Sequence, residues 1–254
     1  MRRQSNAVLL ALALVGATGT ANVAEDFRVE NAVYMGDEKK PCVESTTIFH
    51  SGVVYDYLKS PAEITVFDKN NGRFVLLDVA RRVKTEMPTD KVSTLCEHLK
   101  TWAIGHKDPL LAFLANPRFE EEFDPSTGKL SLSSEAVNYQ LTTENAGSSE
   151  ISRDYREFCD WYCQLNTLLN PGSRPPFARM ALNAAVDRYE RFPQQVELAL
   201  RLGGFPPKRI TVRSEHQLVR RLVESDRGRV RQTDQYLAIF TPVSFEEYQK
   251  KILQ

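Results

Sequence analysis

Beyond its first residues the chain contains no hydrophobic run long enough to cross a bilayer, so no membrane-spanning helix is expected. It carries no net formal charge, with 33 basic and 33 acidic side chains, which argues against binding nucleic acid through a broad basic surface. Histidine is scarce. The four present, His50, His98, His106 and His216, form no H-E-x-x-H pattern. Cys96 and His98 resemble a metal couple, but on a helix they point to opposite sides, and zinc needs about four convergent ligands, so no metal site is expected. The chain also lacks a P-loop, a G-x-G-x-x-G turn and a G-x-S-x-G elbow, so neither a cofactor nor any catalytic residue is assigned. His50-Ser51-Gly52 sets a serine beside a histidine, but neighbours on a strand face opposite ways, and the stretch reads as a turn. There is no internal repeat and no low-complexity tract.

What is present begins with an export signal. Arg2 and Arg3 precede the apolar stretch Ala7 to Ala17, and Gly19-Thr20-Ala21 supplies small residues for cleavage, so residues 1–21 are expected to be removed. A lipid anchor is not expected, because the first cysteine after the signal is Cys42. The mature protein is expected in the periplasm or cell envelope, as a single α+β domain over residues 25–254 with a helical block at about 152–190. Its charge is unevenly spread. Residues 118–160 hold ten acids against four bases, and residues 201–231 hold nine bases against three acids.

The first third reads as consecutive strands at 27–35, 43–50, 52–58, 63–68, 73–78 and 82–87, separated by turn residues. In "ITVFDKNNGRFVLLD", Asn70, Asn71 and Gly72 suit a tight reversal. The flanking strands are apolar on both faces, so this sheet must be covered on both sides or line a cavity. Val92, Leu95, Cys96, Leu99, Trp102 and Ala103 then recur at helical spacing, with Thr89 as the expected cap and Gly105 as the stop. A short helix in "PLLAFLANP", strands in "RFEEEFD", "KLSLS" and "VNYQLTT", and helices at 152–169 and 177–189 follow. Glu120 to Glu122 are read as the outer face of a strand leading into a turn. Strands at 196–202, 209–216 and 235–240 and a capped helix in "SFEEYQKKIL" complete the chain.

"CDWYC" raises the question of cysteine chemistry. On the helix at 152–169, Tyr155, Phe158, Cys159, Trp161, Tyr162, Cys163, Leu165, Leu168 and Leu169 share one arc, and Gln164 falls on the opposite side. Side chains four apart on a helix have Cβ atoms about 5–6 Å apart, while a relaxed disulfide wants about 3.5–4.5 Å. Core packing is therefore the preferred role, and the connectivity of Cys42, Cys96, Cys159 and Cys163 stays open. Asn166 is the polar exception inside the arc. A buried amide needs partners, so it either hydrogen-bonds the strands beneath or lines a ligand pocket, and it is the one candidate ligand-binding residue.

Successive hairpins in "VVYDYLKSPAEITVFDKNNGRFVLLDVARRVKTEM", followed by the helix at 89–104, resemble the periplasmic lipoprotein-carrier superfamily, the LolA-like half-barrels. The resemblance covers about residues 27–145. It implies an α+β fold in which a curved, mostly antiparallel sheet is covered by several α-helices around an apolar cavity. It also implies a soluble protein that binds a lipid or lipoprotein acyl chain without catalysis. Two alternatives stand beside it: a secreted hydrolase whose site assembles from separated residues, and a scaffold that meets a membrane or anionic envelope polymer peripherally through residues 201–231.

Overall fold

Six strands run in immediate succession: β1 (Phe27–Met35), β2 (Val43–His50), β3 (Val53–Leu58), β4 (Glu63–Asp68), β5 (Arg73–Asp78) and β6 (Val83–Pro88). Helices α1 (Thr89–Ile104) and α2 (Pro109–Ala115) lead to β7 (Glu120–Asp124), β8 (Lys129–Ser133) and β9 (Val137–Asn145). Then come α3 (Ser149–Leu169), α4 (Phe177–Arg188), β10 (Arg191–Leu202), β11 (Lys208–Val219), α5 (Glu224–Ile239), β12 (Thr241–Pro242) and α6 (Phe245–Gln249). This computed structural model describes residues 25–170, 172–203 and 208–250; the expected export signal lies outside the described residues.

All twelve strands belong to one curved, unclosed sheet in the order β12-β6-β5-β4-β3-β2-β1-β11-β10-β9-β8-β7. Two antiparallel meanders meet where β1 pairs with β11, and among the described residues only β12 on β6 is parallel. The pleat assigns alternate residues to opposite faces. The inner face, under α3 and α4, takes Val29, Phe49, Phe67, Phe74 and Met87 against α3 and Leu141, Val196 and Leu200 against α4. The outer face takes Ile48, Tyr55, Ile64, Val66 and Leu77 against α5. Strands β3 to β5 are apolar on both faces because both are covered.

Three expectations need correction. Residues 235–239 are the end of α5, capped by Phe240, and not a strand: Leu222, Asp226, Val230 and Thr233 are buried at helical spacing, and that periodicity prevails over the local β-propensity of "QYLAIF". Thr89 does not cap α1. It is the first helical residue, and its hydroxyl donates to the Gly72 carbonyl at 2.9 Å, tying the helix start to the β4–β5 turn. Gln164 is buried on α3, its side-chain amide donating to the Asp160 carbonyl at 3.0 Å while α1 covers that flank, where Cys96 Sγ contacts the Gln164 carbonyl.

One turn admits only glycine. Gly128, between β7 and β8, has φ +69°, and a Cβ there would meet the Thr143 carbonyl oxygen at 2.5 Å. That approach exists because the Thr143 hydroxyl and amide both donate to the Gly128 carbonyl, at 2.6 and 3.0 Å. Gly128→Ala adds backbone strain to a steric clash, and we expect it to cost about 1–3 kcal/mol in urea unfolding. A loss below a few tenths would show that the turn rearranges freely.

Candidate functional site

Five polar side chains stand at inward positions of four adjacent strands, where an apolar residue would be expected. They are Ser214 and His216 on β11, Asn31 on β1, Thr47 on β2 and Asp56 on β3. The register makes them neighbours: Asn31 lies opposite His216, and Thr47 opposite Asp56. Ser214 Oγ lies 2.9 Å from His216 Nε2, and His216 Nδ1 lies 2.8 Å from Asn31 Oδ1. Asn31 Nδ2 donates to the hydroxyls of Thr47 at 2.9 Å and Ser45 at 3.2 Å, and the Thr47 hydroxyl donates to Asp56 Oδ1 at 2.7 Å.

These contacts fix a direction. An amide oxygen only accepts, so His216 Nδ1 carries a proton and donates to Asn31. Burial, reinforced by the Arg179 charge, pulls the imidazole down to about 3, so it is neutral and Nε2 accepts from Ser214. Each member therefore donates to the next, from Ser214 to the Asp56 carboxyl. At that end burial raises the pKa of Asp56, while hydrogen bonds from Thr47, Ser45 and Tyr162 oppose the shift.

Serine, histidine and asparagine in this order have the outline of a nucleophile, a base and its orienter. Two features oppose catalysis. Ser214 lies mid-strand between Val33 and Val196, so the ladder engages the backbone around it and leaves no neighbouring pair of free N–H groups to stabilise an oxyanion. A base at about 3, facing Arg179, also resists becoming imidazolium. The row is better suited to holding strands in register and presenting fixed polar groups.

At its Asp56 end the row opens on a pocket of 430 Å³ between β3–β5, the last turns of α3 and α6. Leu58, Leu76 and Leu169 form its apolar wall, and the rest of the lining is polar, with the acids Asp56, Glu63 and Asp78 beside Tyr162, Asn166 and Tyr248. Asn166 is exposed at this pocket and does not hydrogen-bond the strands: its Oδ1 accepts from Asn170 Nδ2 at 2.6 Å. The expectation of a buried amide fails because this part of the α3 arc faces open space. The rest of the arc fills the groove, with Phe158 edge-on to Phe49 at 5.7 Å and Trp161 6.2 Å from Phe67.

A larger cleft of 720 Å³ lies on the outer face beside α5, but its charged groups are already engaged, Lys59 with Glu44 at 3.0 Å among them. Glu30 accepts from Thr46 at 2.7 Å, Glu215 pairs with Arg213 at 2.6 Å, and Arg229 stacks over Tyr57 at 4.1 Å. The basic residues of 201–231 are likewise divided between β10, β11, the β11–α5 connection and α5: Arg231 pairs with Glu224 at 2.6 Å and Arg220 donates to the Asn145 carbonyl at 2.8 Å.

All four cysteines are free thiols. Burial pushes Cys96 and Cys159 up to about 11, where little nucleophilic thiolate forms at neutral pH. Among the described residues no group of His, Cys, Asp and Glu is arranged to hold a metal, and no helix is long and apolar enough to cross a membrane. No protein-family model matches the chain, and none of the curated proteins matches it.

Proposed function

We propose that this is a non-catalytic, exported cell-envelope protein of the LolA-like half-barrel kind, which binds or carries a hydrophobic ligand such as a lipid or lipoprotein acyl chain. The observation that carries this reading is the 430 Å³ pocket beside α3, where an apolar wall faces a polar side that includes three acids, within the size range of small-molecule sites. Because α3 packs its aromatic residues into the groove itself, the ligand lies alongside the helix and not beneath it. Leu58, Leu76 and Leu169 take the apolar body, and Asp56, Tyr162 and Asn166 orient its polar end.

Native mass spectrometry of the mature protein, purified from its own compartment, tests the reading. A bound lipid mass is expected on the wild type. It should be absent from Ala62→Trp, in which an exposed lining residue becomes a bulky one at little cost to the fold. Reproducibly empty wild-type protein, or equal loading of the variant, would overturn it.

A further inference from the structure

The polar side of the pocket beside α3 carries charge of one sign. Strand pairing sets Glu63 on β4 directly opposite Asp78 on β5, and in the next inward row Asp56 on β3 lies opposite Thr65 on β4. Like charges directly opposite one another on a sheet are destabilising. Among the described residues the pocket wall holds these three acids and no lysine, arginine or histidine. Arg81 reaches Asp78 from outside the lining. Its main-chain N–H donates to Asp78 Oδ1 at 2.8 Å, but its guanidinium stays 3.9 Å from Oδ2 and donates instead to the carbonyls of Tyr248 and Glu247, at 3.1 and 3.4 Å.

Tyr248 supplies an independent observation. It belongs to α6, is 4 % exposed and lines the same pocket. Its main chain is engaged, with the N–H donating to the Ser244 carbonyl at 2.9 Å and the carbonyl accepting from Arg81, but its hydroxyl has no hydrogen-bond partner among the described residues. Nor is that oxygen sealed away, so the small exposed part of this side chain includes its polar end, at the pocket. Burial raises the pKa of the phenol, and the charges of Glu63 and Asp78 raise it further against Arg81, so the hydroxyl lies in the field of both acids. A neutral phenol oxygen accepts hydrogen bonds as well as donating one.

We propose that the ligand of this pocket carries a protonated amine, which Glu63, Asp78 and the Tyr248 hydroxyl bind as acceptors while Leu58, Leu76 and Leu169 take its apolar chain. This rests on the reading of the pocket as a hydrophobic-ligand site and names the chemical class of the ligand's polar end. An ammonium group presents three N–H donors and no acceptor, which matches two carboxylates and a phenol oxygen. It offsets the repulsion between Glu63 and Asp78 and gives the hydroxyl a partner through charge-assisted bonds, whereas a carboxylate or phosphate head would add a like charge to the same wall.

Calorimetric titrations with octylamine, 1-octanol, octanoate and ethylamine test it on the wild type, Ala62→Trp, Glu63→Gln and Tyr248→Phe. On the wild type octylamine is expected to bind most tightly of the octyl compounds and octanoate most weakly, and all three should be lost in Ala62→Trp. Glu63→Gln should weaken octylamine about three- to tenfold and Tyr248→Phe by less, while 1-octanol binds both variants as it binds the wild type. Added salt should weaken octylamine relative to 1-octanol. Ethylamine binding as tight as that of octylamine would assign the site to a free amine; much weaker binding assigns it to the head of an amphiphile. If 1-octanol or octanoate matched octylamine and was lost in Ala62→Trp, the pocket would stand as a hydrophobic-ligand site and the amine would be overturned. Octylamine affinity unchanged in both Glu63→Gln and Tyr248→Phe, or weakened there only as much as that of 1-octanol, would overturn it equally. Failure of every octyl compound to bind the wild type would remove the pocket reading and this proposal together.

Discussion

Acidification from pH 6.5 towards pH 3 is expected to destabilise the protein steeply, with His216 as a main cause. Burial first, and the Arg179 charge second, hold its folded-state pKa near 3, against about 6.5 for an unfolded chain. Between those values the unfolded state binds the proton and the folded state does not, so stability rises with pH across the window, is complete above about 6.5, and is lost as pH falls. The slope from one such group is at most about 1.4 kcal/mol per pH unit, and the summed effect is on the order of a few kcal/mol. Urea unfolding at pH 4, 5, 6 and 7 measures it. His216→Asn keeps a donor towards Asn31 but cannot titrate, so its profile should be flatter than that of the wild type. Parallel profiles would show that His216 is solvated in the folded protein. Asp56 acts in the opposite sense: its carboxyl is raised, so its contribution is present at low pH and lost as pH rises through its folded value. Asp56→Asn should therefore steepen the net rise in stability with pH.

Why these groups escaped the sequence reading is a matter of register. The strands themselves were legible, because alternation and turn residues are local: Val29 and Phe27 mark the inward phase of β1, and Asn70 to Gly72 place the β4–β5 reversal. The same phase marks Asn31, Thr47, Asp56, Ser214 and His216 as inward-facing polar residues, a signal present in each strand alone. Nothing local says that β11 pairs with β1, some 180 positions away, and only that pairing sets Asn31 opposite His216. Asn166 failed differently. A helical projection identifies a face but not what lies opposite, and the last turns of α3 look into a pocket and not onto packed strands. The end of α5 was misread because Tyr236, Ile239 and Phe240 carry strong β-propensity, whereas the helix is decided by contacts of Val230 and Thr233 with the sheet beyond that window.

Phe158→Ala is expected to cost about 3–5 kcal/mol, and the size of that loss decides how the inner face is used. Phe158 is 5 % exposed and lies between Phe49 at 5.7 Å, Phe67 at 6.5 Å and Tyr162 at 5.2 Å. Truncation removes the transfer free energy of the ring, its aromatic pairs and the contacts around the resulting cavity. A long helix with a polar outer face is held mainly by such packing and not by intrinsic propensity. A full loss in urea unfolding means that α3 is a fixed plug, and that any ligand is confined to the pocket beside its last turns. The cavity should then be dry and bind a small aromatic such as toluene, which would restore part of the lost unfolding temperature. A loss under about 1 kcal/mol would mean that α3 is not held by the sheet. The helix would then behave as a lid, the groove beneath it would be open to an acyl chain, and Asp56 and His216 would sit in the floor of the site and not at its margin.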